Sequence, residues 1–235
     1  MQKVRSPCPK QVNAYHIQLP IWEPTSVDKT INAMESPIRF LPWVGSNYSK
    51  GFKGVRTLVL GESHYQWAAV GDINTWSTIT PELVQEQIDG HYTKAFWTKI
   101  AITFLNQRPS RDEKEVFWHS VAFYNYVQES AGDGPRQAPS EGSWDLSVSA
   151  FQKVIEDLSP DFMLVLGDRL MSRLPSLGRV AGTPICDAPR TATWIYSLGN
   201  VPTFTYGIKH PSTGFNGRSW HPHVLTALDY ASRNK

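Results

Sequence analysis

Cysteine is scarce in this chain: Cys8 and Cys186 are the only two among 235 residues. Two thiols cannot build a disulfide framework, nor can they hold an iron–sulfur cluster through four thiolates. The sequence therefore excludes a disulfide-stapled scaffold and an iron–sulfur centre with four cysteine ligands. A reducing compartment, the cytoplasm, is the expected location of such a chain.

Long apolar runs and spaced metal ligands are missing as well. No stretch is long enough to cross a bilayer, and the polar N-terminus does not resemble a signal peptide, so no membrane association is expected. His210, His221 and His223 lie close together in sequence, but no further ligand completes a zinc-binding spacing. We expect no metal and no other cofactor.

Neither sign of charge is in excess, because 23 basic residues face 21 acidic ones and the net charge is +2. There is no long basic run, so a polyanion would have to bind to a local face of the folded protein. Aromatic residues, by contrast, are frequent, with 9 Trp, 9 Tyr and 10 Phe. Most of them are expected in the core, although exposed aromatic rings also stack on nucleobases.

Strand-like apolar runs alternate with helical patterns along the chain. Strands are predicted at residues 55–60, 120–127, 162–167 and 201–208, with a further one at 193–198. Helices are predicted at residues 80–89, 94–106, 145–158, 170–174 and 222–232. This alternation predicts an α/β fold, a three-layer α/β/α sandwich around a central, mainly parallel four-stranded sheet.

The length fits one domain with a large core. We assign residues 41–235 to this domain and read the proline-containing residues 1–40 as an N-terminal arm packed on it. Residues 132–143 are rich in Gly, Pro, Ser and Gln, which predicts a flexible loop beside the end of the second strand. That position would suit a lid facing a substrate.

Two short polar motifs each follow an apolar strand directly. Gly61-Glu62-Ser63-His64-Tyr65 follows residues 55–60, and His210-Pro211-Ser212 follows residues 204–208. In an open parallel sheet, ligands bind outside the carboxyl ends of the strands. The two motifs are therefore predicted to meet in one cleft, where one supplies a carboxylate and the other an imidazole.

These landmarks resemble the uracil-DNA glycosylase superfamily. Residues 59–65 look like its first motif, and residues 210–212 match its second catalytic motif letter for letter. Asn125 lies where that family keeps an Asn that reads the base, and residues 161–174 resemble its third strand with a Gly turn opening a helix. The resemblance covers about residues 40–232 in layout and implies that fold and hydrolysis of an N-glycosidic bond in DNA.

The first motif differs from the best-known branch of that family. Ser63 stands where the water-activating Asp of that branch would fall, and Glu62 supplies an acid one residue earlier, as in some other branches. The altered motif, the arm and the 132–143 loop favour a remodelled pocket. Two substrates stay open: uracil, or a bulky modified pyrimidine such as the glucosylated hydroxymethylcytosine of phage DNA, because the superfamily includes a phage-defence branch.

The chemistry of the bond assigns roles to these residues. Cleavage passes through an oxocarbenium-like sugar, which a carboxylate such as Glu62 stabilises while it orients or deprotonates a water. The departing base carries negative charge, which a hydrogen bond from His210 stabilises. The residues predicted to bind the substrate around this catalytic pair are Gly61, Ser63, His64, Tyr65, Asn125 and Ser212.

A base inside a duplex must first leave the stack. Asn125 offers a donor and an acceptor to the edge of the flipped base, and Phe215 is the predicted wedge that fills the gap. Lys209 and Arg218 are predicted to hold phosphates. The candidates for an aromatic floor under the base are Tyr65, Trp67 and Trp76.

We thus expect a monomeric, monofunctional DNA glycosylase of the bacterial cytoplasm or nucleoid, with DNA as its partner and no obligate protein partner. The alternative is a nucleic-acid or nucleotide-binding protein that keeps the fold without catalysis. An unrelated α/β hydrolase is disfavoured because residues 61–65 do not form a Gly-x-Ser-x-Gly elbow.

Overall fold

The computed structural model of the chain describes residues 36–66, 71–92, 94–134, 137–186, 188–212 and 214–234. The predicted arm lies outside the described residues up to residue 35, and so does Trp67. No helix in the described ranges combines the length and the apolar character that crossing a membrane requires.

Seven strands within the described residues form one mixed sheet. In chain order they are β1 (Trp43–Val44), β2 (Thr57–Gly61), β3 (Val121–Asn125), β4 (Phe162–Leu166), β5 (Val180–Ala181), β6 (Thr193–Tyr196) and β7 (Thr203–Ile208). Their order across the sheet is β1-β3-β2-β4-β7-β6-β5. The central strands β3, β2, β4 and β7 run parallel, whereas β1, β6 and β5 pair antiparallel.

The prediction of an α/β fold with a mainly parallel sheet is confirmed, but the predicted count of four strands was wrong. The further strand predicted at 193–198 is β6, which joins the same sheet, and the unpredicted strands β1 and β5 lie at its edges. Strands β1 and β5 are two residues long, which is too short for an alternating pattern to appear in the sequence.

The described helices are α1 (Ile79–Asp89), α2 (Ala95–Leu105), α3 (Arg111–His119), α4 (Glu141–Leu146), α5 (Val148–Leu158), α6 (Asp168–Arg173) and α7 (Gly217–Arg233). Helix α3 was not predicted. It begins with a capping box, in which Ser110 and Glu113 each bond the other's backbone N–H. The predicted 145–158 helix is two helices, and the loop predicted at 132–143 ends earlier because α4 begins at Glu141.

Alternate residues of the central strands enter two separate cores, one on each face of the sheet. Val59 and Leu164 pack in the core formed with α1, α2, α3 and α7. Leu58 and Met163 pack in the core formed with α4, α5 and α6. All residues of β2 and β4 are buried, because helices cover both faces of a parallel sheet. The result is a three-layer arrangement with the carboxyl ends of four parallel strands at one edge.

Asp161 ties the amino ends of β2 and β4 together. Its carboxylate accepts hydrogen bonds from the Arg56 backbone N–H (2.8 Å) and from Arg56 Nη2 (2.9 Å). The Asp161 side chain is only 3% exposed, whereas that of Arg56 is 29% exposed. The buried acceptor therefore fixes the start of both strands, on which the position of their far ends depends.

We expect Asp161→Ala to lower the free energy of unfolding by about 3 kcal/mol, because two donors lose a buried, charged acceptor. Urea unfolding measures this loss. Asp157→Ala is the matched control, since its ion pair with Lys153 is about half exposed and should be worth about 0.5 kcal/mol or less. Equal losses in the two variants would contradict the structural role of Asp161.

Candidate active site

Strand register brings the two predicted motifs to the same edge of the sheet. Gly61 at the end of β2 pairs with Asn125 at the end of β3. Leu166 in β4 pairs with Ile208 in β7, and the Gly167 N–H donates to the Ile208 carbonyl at 2.8 Å. The loops after all four parallel strands therefore begin side by side.

Two of these strand ends require glycine, for different reasons. A Cβ placed on Gly61 would lie 2.2 Å from Asn125 Oδ1, which is closer than any real contact. Gly167 has a φ of +116°, a value that other residues rarely adopt. Gly61 is therefore required by the close approach of Asn125, and Gly167 by its backbone conformation.

His64, Asn125 and Thr80 form a buried polar group beneath the strand ends. Asn125 Nδ2 lies 3.1 Å from His64 Nε2, and Thr80 Oγ1 lies 2.8 Å from the same nitrogen. The His64 ring also meets the Phe40 ring edge-on at 5.2 Å. Burial lowers the pKa of His64 to about 4, so the imidazole is neutral at physiological pH. In this structure the Asn125 amide contacts Gly61 and His64, which places it inside the protein.

Thr80 corrects a sequence prediction. The helix predicted at residues 80–89 was expected to begin at Thr80, but α1 begins at Ile79 after Thr78. Because Thr80 lies within the first turn, its hydroxyl is available to His64. The contact between α1 and the first motif could not be seen in the sequence.

Glu62 makes a bidentate ion pair with Arg169, the second residue of α6. Arg169 Nε lies 2.8 Å from Glu62 Oε2, and Arg169 Nη2 lies 2.5 Å from Oε1. The side chain of Glu62 is 12% exposed and that of Arg169 is 46% exposed. Arg169 was not among the predicted site residues. Its place two residues after the strand-end Gly167 is the sequence signal that could have found it.

His210 lies in the same electrostatic neighbourhood. Its ring packs against Phe96 at 5.5 Å between centroids, with 32° between the ring planes. Burial lowers the pKa of His210, Glu62 acts in the opposite direction, and Arg169 and Lys99 lower it further. Because β2, β4 and β7 pair side by side, the carboxylate after β2 and the imidazole after β7 lie at the same edge of the sheet.

Lys99 is a second site residue that sequence reasoning missed. Its Nζ donates to the Ser212 carbonyl at 2.5 Å, and the Ser212 N–H donates to the His210 carbonyl at 2.7 Å. Lys99 lies on α2, whose otherwise apolar pattern indicated a core helix. A charged residue inside such a pattern is the signal that could have marked it.

Lys209 and Arg218 flank the second motif and are exposed. Within the described residues, neither side chain has an acidic partner, and Lys99 has none either. A Cβ on Gly217 would lie 2.8 Å from the Lys99 carbonyl, so α7 begins tightly against α2. That packing places the backbone of Arg218 against α2, and the three cations Lys99, Lys209 and Arg218 therefore lie on or beside the segment that follows β7.

One aromatic prediction needs correction. Phe215 is only 7% exposed and belongs to the core under α7, so its ring is not available as a wedge in this structure. Trp76 is partly buried against a small core of Phe40, Ile73 and Ile79, and its indole N–H donates to Glu82 Oε1 at 3.0 Å.

Tyr65 and Ser63 keep their place in the first motif. Tyr65 is partly exposed, and it contributes to the raised pKa of the Arg169 guanidinium. The Ser63 hydroxyl oxygen is buried and makes no hydrogen bond to any described residue. Residues 131 and 132 bond to this motif, because the Ala131 N–H donates to the His64 carbonyl and the Gln66 N–H donates to the Gly132 carbonyl, each at 2.9 Å. The predicted lid segment therefore starts against the first motif.

No protein-family model matches this sequence, and no match was found among curated proteins. Over the described part of the chain, no group of three or more His, Cys, Asp or Glu side chains is placed to hold a metal ion. Function is therefore inferred from the residues of the site themselves.

The buried His64 predicts a specific pH dependence of stability. Because its pKa falls from 6.5 to about 4 on folding, the unfolded chain binds a proton between these values that the folded chain does not. The free energy of unfolding should therefore fall as pH drops from 6.5 to 4, by about 3 kcal/mol, and this contribution should level off below pH 4. The His64→Gln variant keeps hydrogen-bonding groups at this position but has no side chain that takes up a proton in this pH range.

Urea unfolding between pH 7.5 and 4 compares the two proteins. The difference in unfolding free energy between wild type and His64→Gln isolates this proton from the titration of the carboxylates. A difference that stays constant over this range would contradict the neutral, buried state of His64.

Proposed function

We propose that this protein is a monofunctional DNA glycosylase that hydrolyses the N-glycosidic bond of a flipped-out, non-standard pyrimidine. The supporting observation is that Glu62 and His210, far apart in sequence, lie just after the parallel strands β2 and β7, which end at one edge of the sheet with only β4 between them. A carboxylate and a neutral imidazole suit the two charges that develop when this bond breaks. The four parallel central strands are compatible with the uracil-DNA glycosylase-like arrangement that forms part of the proposal.

Glu62 would act on the sugar side of the bond. As the bond between C1′ and the base nitrogen breaks, its electron pair stays on the base and C1′ becomes cationic. The carboxylate stabilises this cation and takes a proton from the attacking water, whose oxygen bonds to C1′. The products are an abasic site and the free base, which gains a proton from solvent.

His210 would act on the base side. Its lowered pKa keeps the ring neutral at physiological pH, so that one ring nitrogen carries a hydrogen and can donate it in a hydrogen bond. A donor aimed at the carbonyl oxygen of the departing base strengthens as negative charge develops there. Phe96 supports the ring from one side and limits its rotation.

The substrate proposal keeps both bases that the sequence suggests. Uracil follows from the resemblance, and a bulky modified pyrimidine such as glucosylated hydroxymethylcytosine follows from the altered first motif. Tyr65, which is partly exposed in the first motif, is our candidate to stack on either base. We further propose that the protein acts as a cytoplasmic monomer without metal or cofactor.

One observation favours the alternative, a binding protein without catalysis. Both oxygens of Glu62 are occupied by Arg169, so the carboxylate is neutralised in the absence of a ligand. A site in which that pair never separates would bind a nucleotide without hydrolysing it. Measurement of base release distinguishes the two functions.

The decisive experiment incubates the protein with duplex and single-stranded DNA carrying uracil or glucosylated hydroxymethylcytosine, followed by alkaline cleavage of abasic sites. We expect Glu62→Gln and His210→Ala each to lower the single-turnover rate by about 10²–10³, because each removes a group that acts as charge develops. Glu62→Gln should not weaken DNA binding.

Glu141→Gln is the control for Glu62→Gln, because Glu141 makes an equivalent bidentate pair with Arg173 on the same helix. His91→Ala, at an exposed position, is the control for His210→Ala. Full activity of Glu62→Gln would remove the catalytic assignment, and absence of base release from every substrate would favour the binding protein.

The three cations Lys99, Lys209 and Arg218 predict salt-dependent DNA binding despite a net charge of only +2. Each phosphate contact releases counterions, so Lys209→Ala and Arg218→Ala should each reduce the slope of log K against log salt by about 1. Lys50→Ala is the control, since Lys50 is exposed on the loop beside the amino end of β3. Binding measured by fluorescence anisotropy at several salt concentrations tests this, and a flat salt dependence would argue for a small-molecule site.

A further inference from the structure

The ion pair between Glu62 and Arg169 conflicts with the chemistry proposed for Glu62. The two hydrogen bonds from the guanidinium occupy both carboxylate oxygens, at 2.8 and 2.5 Å. A carboxylate in this state has its charge compensated and its oxygens engaged. It can neither stabilise a sugar cation at full strength nor accept a proton from water readily.

Arg169 is held in this position by Glu62 alone. Among the described residues, the guanidinium makes hydrogen bonds only to the Glu62 carboxylate. Its side chain is 46% exposed, whereas that of Glu62 is 12% exposed, so solvent reaches the ion pair from the arginine side. A second anion with suitable geometry can therefore approach the guanidinium and compete with the carboxylate.

A DNA phosphate is such an anion. The guanidinium fork binds phosphate oxygens in the same bidentate manner as it binds a carboxylate. The cations Lys99, Lys209 and Arg218 lie at the same edge without acidic partners among the described residues and would draw a strand towards it. A strand placed there brings phosphates to the exposed side of Arg169.

We infer that Arg169 is a displaceable partner of Glu62, bound to the carboxylate in the free protein and to a backbone phosphate beside the target nucleotide in the complex. This inference rests on the proposed function for the reaction that Glu62 performs. On this inference Arg169 is a substrate-binding residue. The Glu62 carboxylate would lose its ion-pair partner only when a polynucleotide is bound. A free nucleoside, which has no phosphate, would leave the pair closed.

Arg173 provides a matched control on the same helix. It makes a bidentate pair with Glu141 in which Nη2 lies 2.7 Å from Oε1, and its side chain is 44% exposed, close to the value for Arg169. Glu141 is 75% exposed, however, and no strand-end motif contacts it. Arg173→Ala therefore removes an equivalent ion pair that the proposal leaves outside the reaction.

The first measurement is a binding cycle between protein and phosphate. Each duplex carries the target nucleotide with a 2′-fluoro sugar, which resists the oxocarbenium state and so prevents cleavage. In each of four duplexes, a neutral methylphosphonate replaces one of the four phosphates nearest to that nucleotide. At one linkage we expect the neutral group to weaken wild-type binding by about two- to fivefold and to have no effect on Arg169→Ala. Arg173→Ala should keep the full wild-type sensitivity, and Arg169→Lys, which lacks the fork, should show a partial effect.

The second measurement is the single-turnover rate of base release at saturating protein. Its duplexes carry the same neutral linkage, but the target nucleotide has an ordinary deoxyribose that can be cleaved. In the wild type, loss of the phosphate leaves Arg169 on Glu62, so the single-turnover rate should fall about tenfold or more, whereas the Arg169→Ala rate should not depend on the linkage. If the neutral linkage has the same effect on wild type and on Arg169→Ala at all four positions in both measurements, Arg169 stays on Glu62 and the inference is overturned.

The two measurements separate the inference from the proposed function. Coupling in the binding cycle without base release from any substrate would support the transfer of Arg169 to a phosphate and would remove the glycosylase assignment. Base release with no coupling at any linkage would support the glycosylase and remove the inference.

Discussion

The candidate site depends on the absence of a side chain at the ends of two adjacent strands. Gly61 lets Asn125 lie directly against the backbone of β2, whereas Gly167 adopts a φ of +116° that other residues rarely reach. Any larger residue at position 61 would collide with Asn125 Oδ1. Since the parallel strands are locked in register by backbone hydrogen bonds, that collision could not be relieved by a shift of one strand. Gly61 therefore determines how closely Asn125 approaches β2, and Gly167 determines the course of the backbone after β4.

Acidic and basic side chains at this edge of the sheet differ in whether they form ion pairs. The acidic side chains Glu62, Asp168 and Glu141 each pair with an arginine, whereas Lys99, Lys209 and Arg218 face no acid in the described part of the chain. The net charge of +2 therefore does not describe how charged groups are distributed at this edge. At ordinary salt concentrations a charged group acts on a ligand within about 10 Å. The positions of Lys99, Lys209 and Arg218 therefore matter more for binding than the net charge does.

The sequence predicted what local patterns encode. The central strands, the two motifs at their ends and the glycine of the first motif all follow from apolar runs and their polar boundaries, and the structure brings these motifs together. Arg169, Lys99 and Thr80 were not predicted, because each reaches the site from a helix whose placement is a matter of tertiary packing. Phe215 was wrongly expected to be exposed, since its place in a Gly-rich loop gave no sign of the core beneath α7.

The site has an inner neutral layer and an outer charged layer. The inner layer, His64 with Thr80 and Asn125, is buried and cannot change its charge without a large cost in stability. The outer layer, Glu62 with Arg169 and His210, is nearer to solvent, and on our inference Arg169 would leave it for a phosphate. A fixed neutral layer suits recognition of an uncharged base edge, and an exchangeable charged layer suits the phosphates and the charge that develops in the reaction. On the proposed function, specificity and chemistry would therefore be assigned to different layers, and the inner one would be set by folding alone.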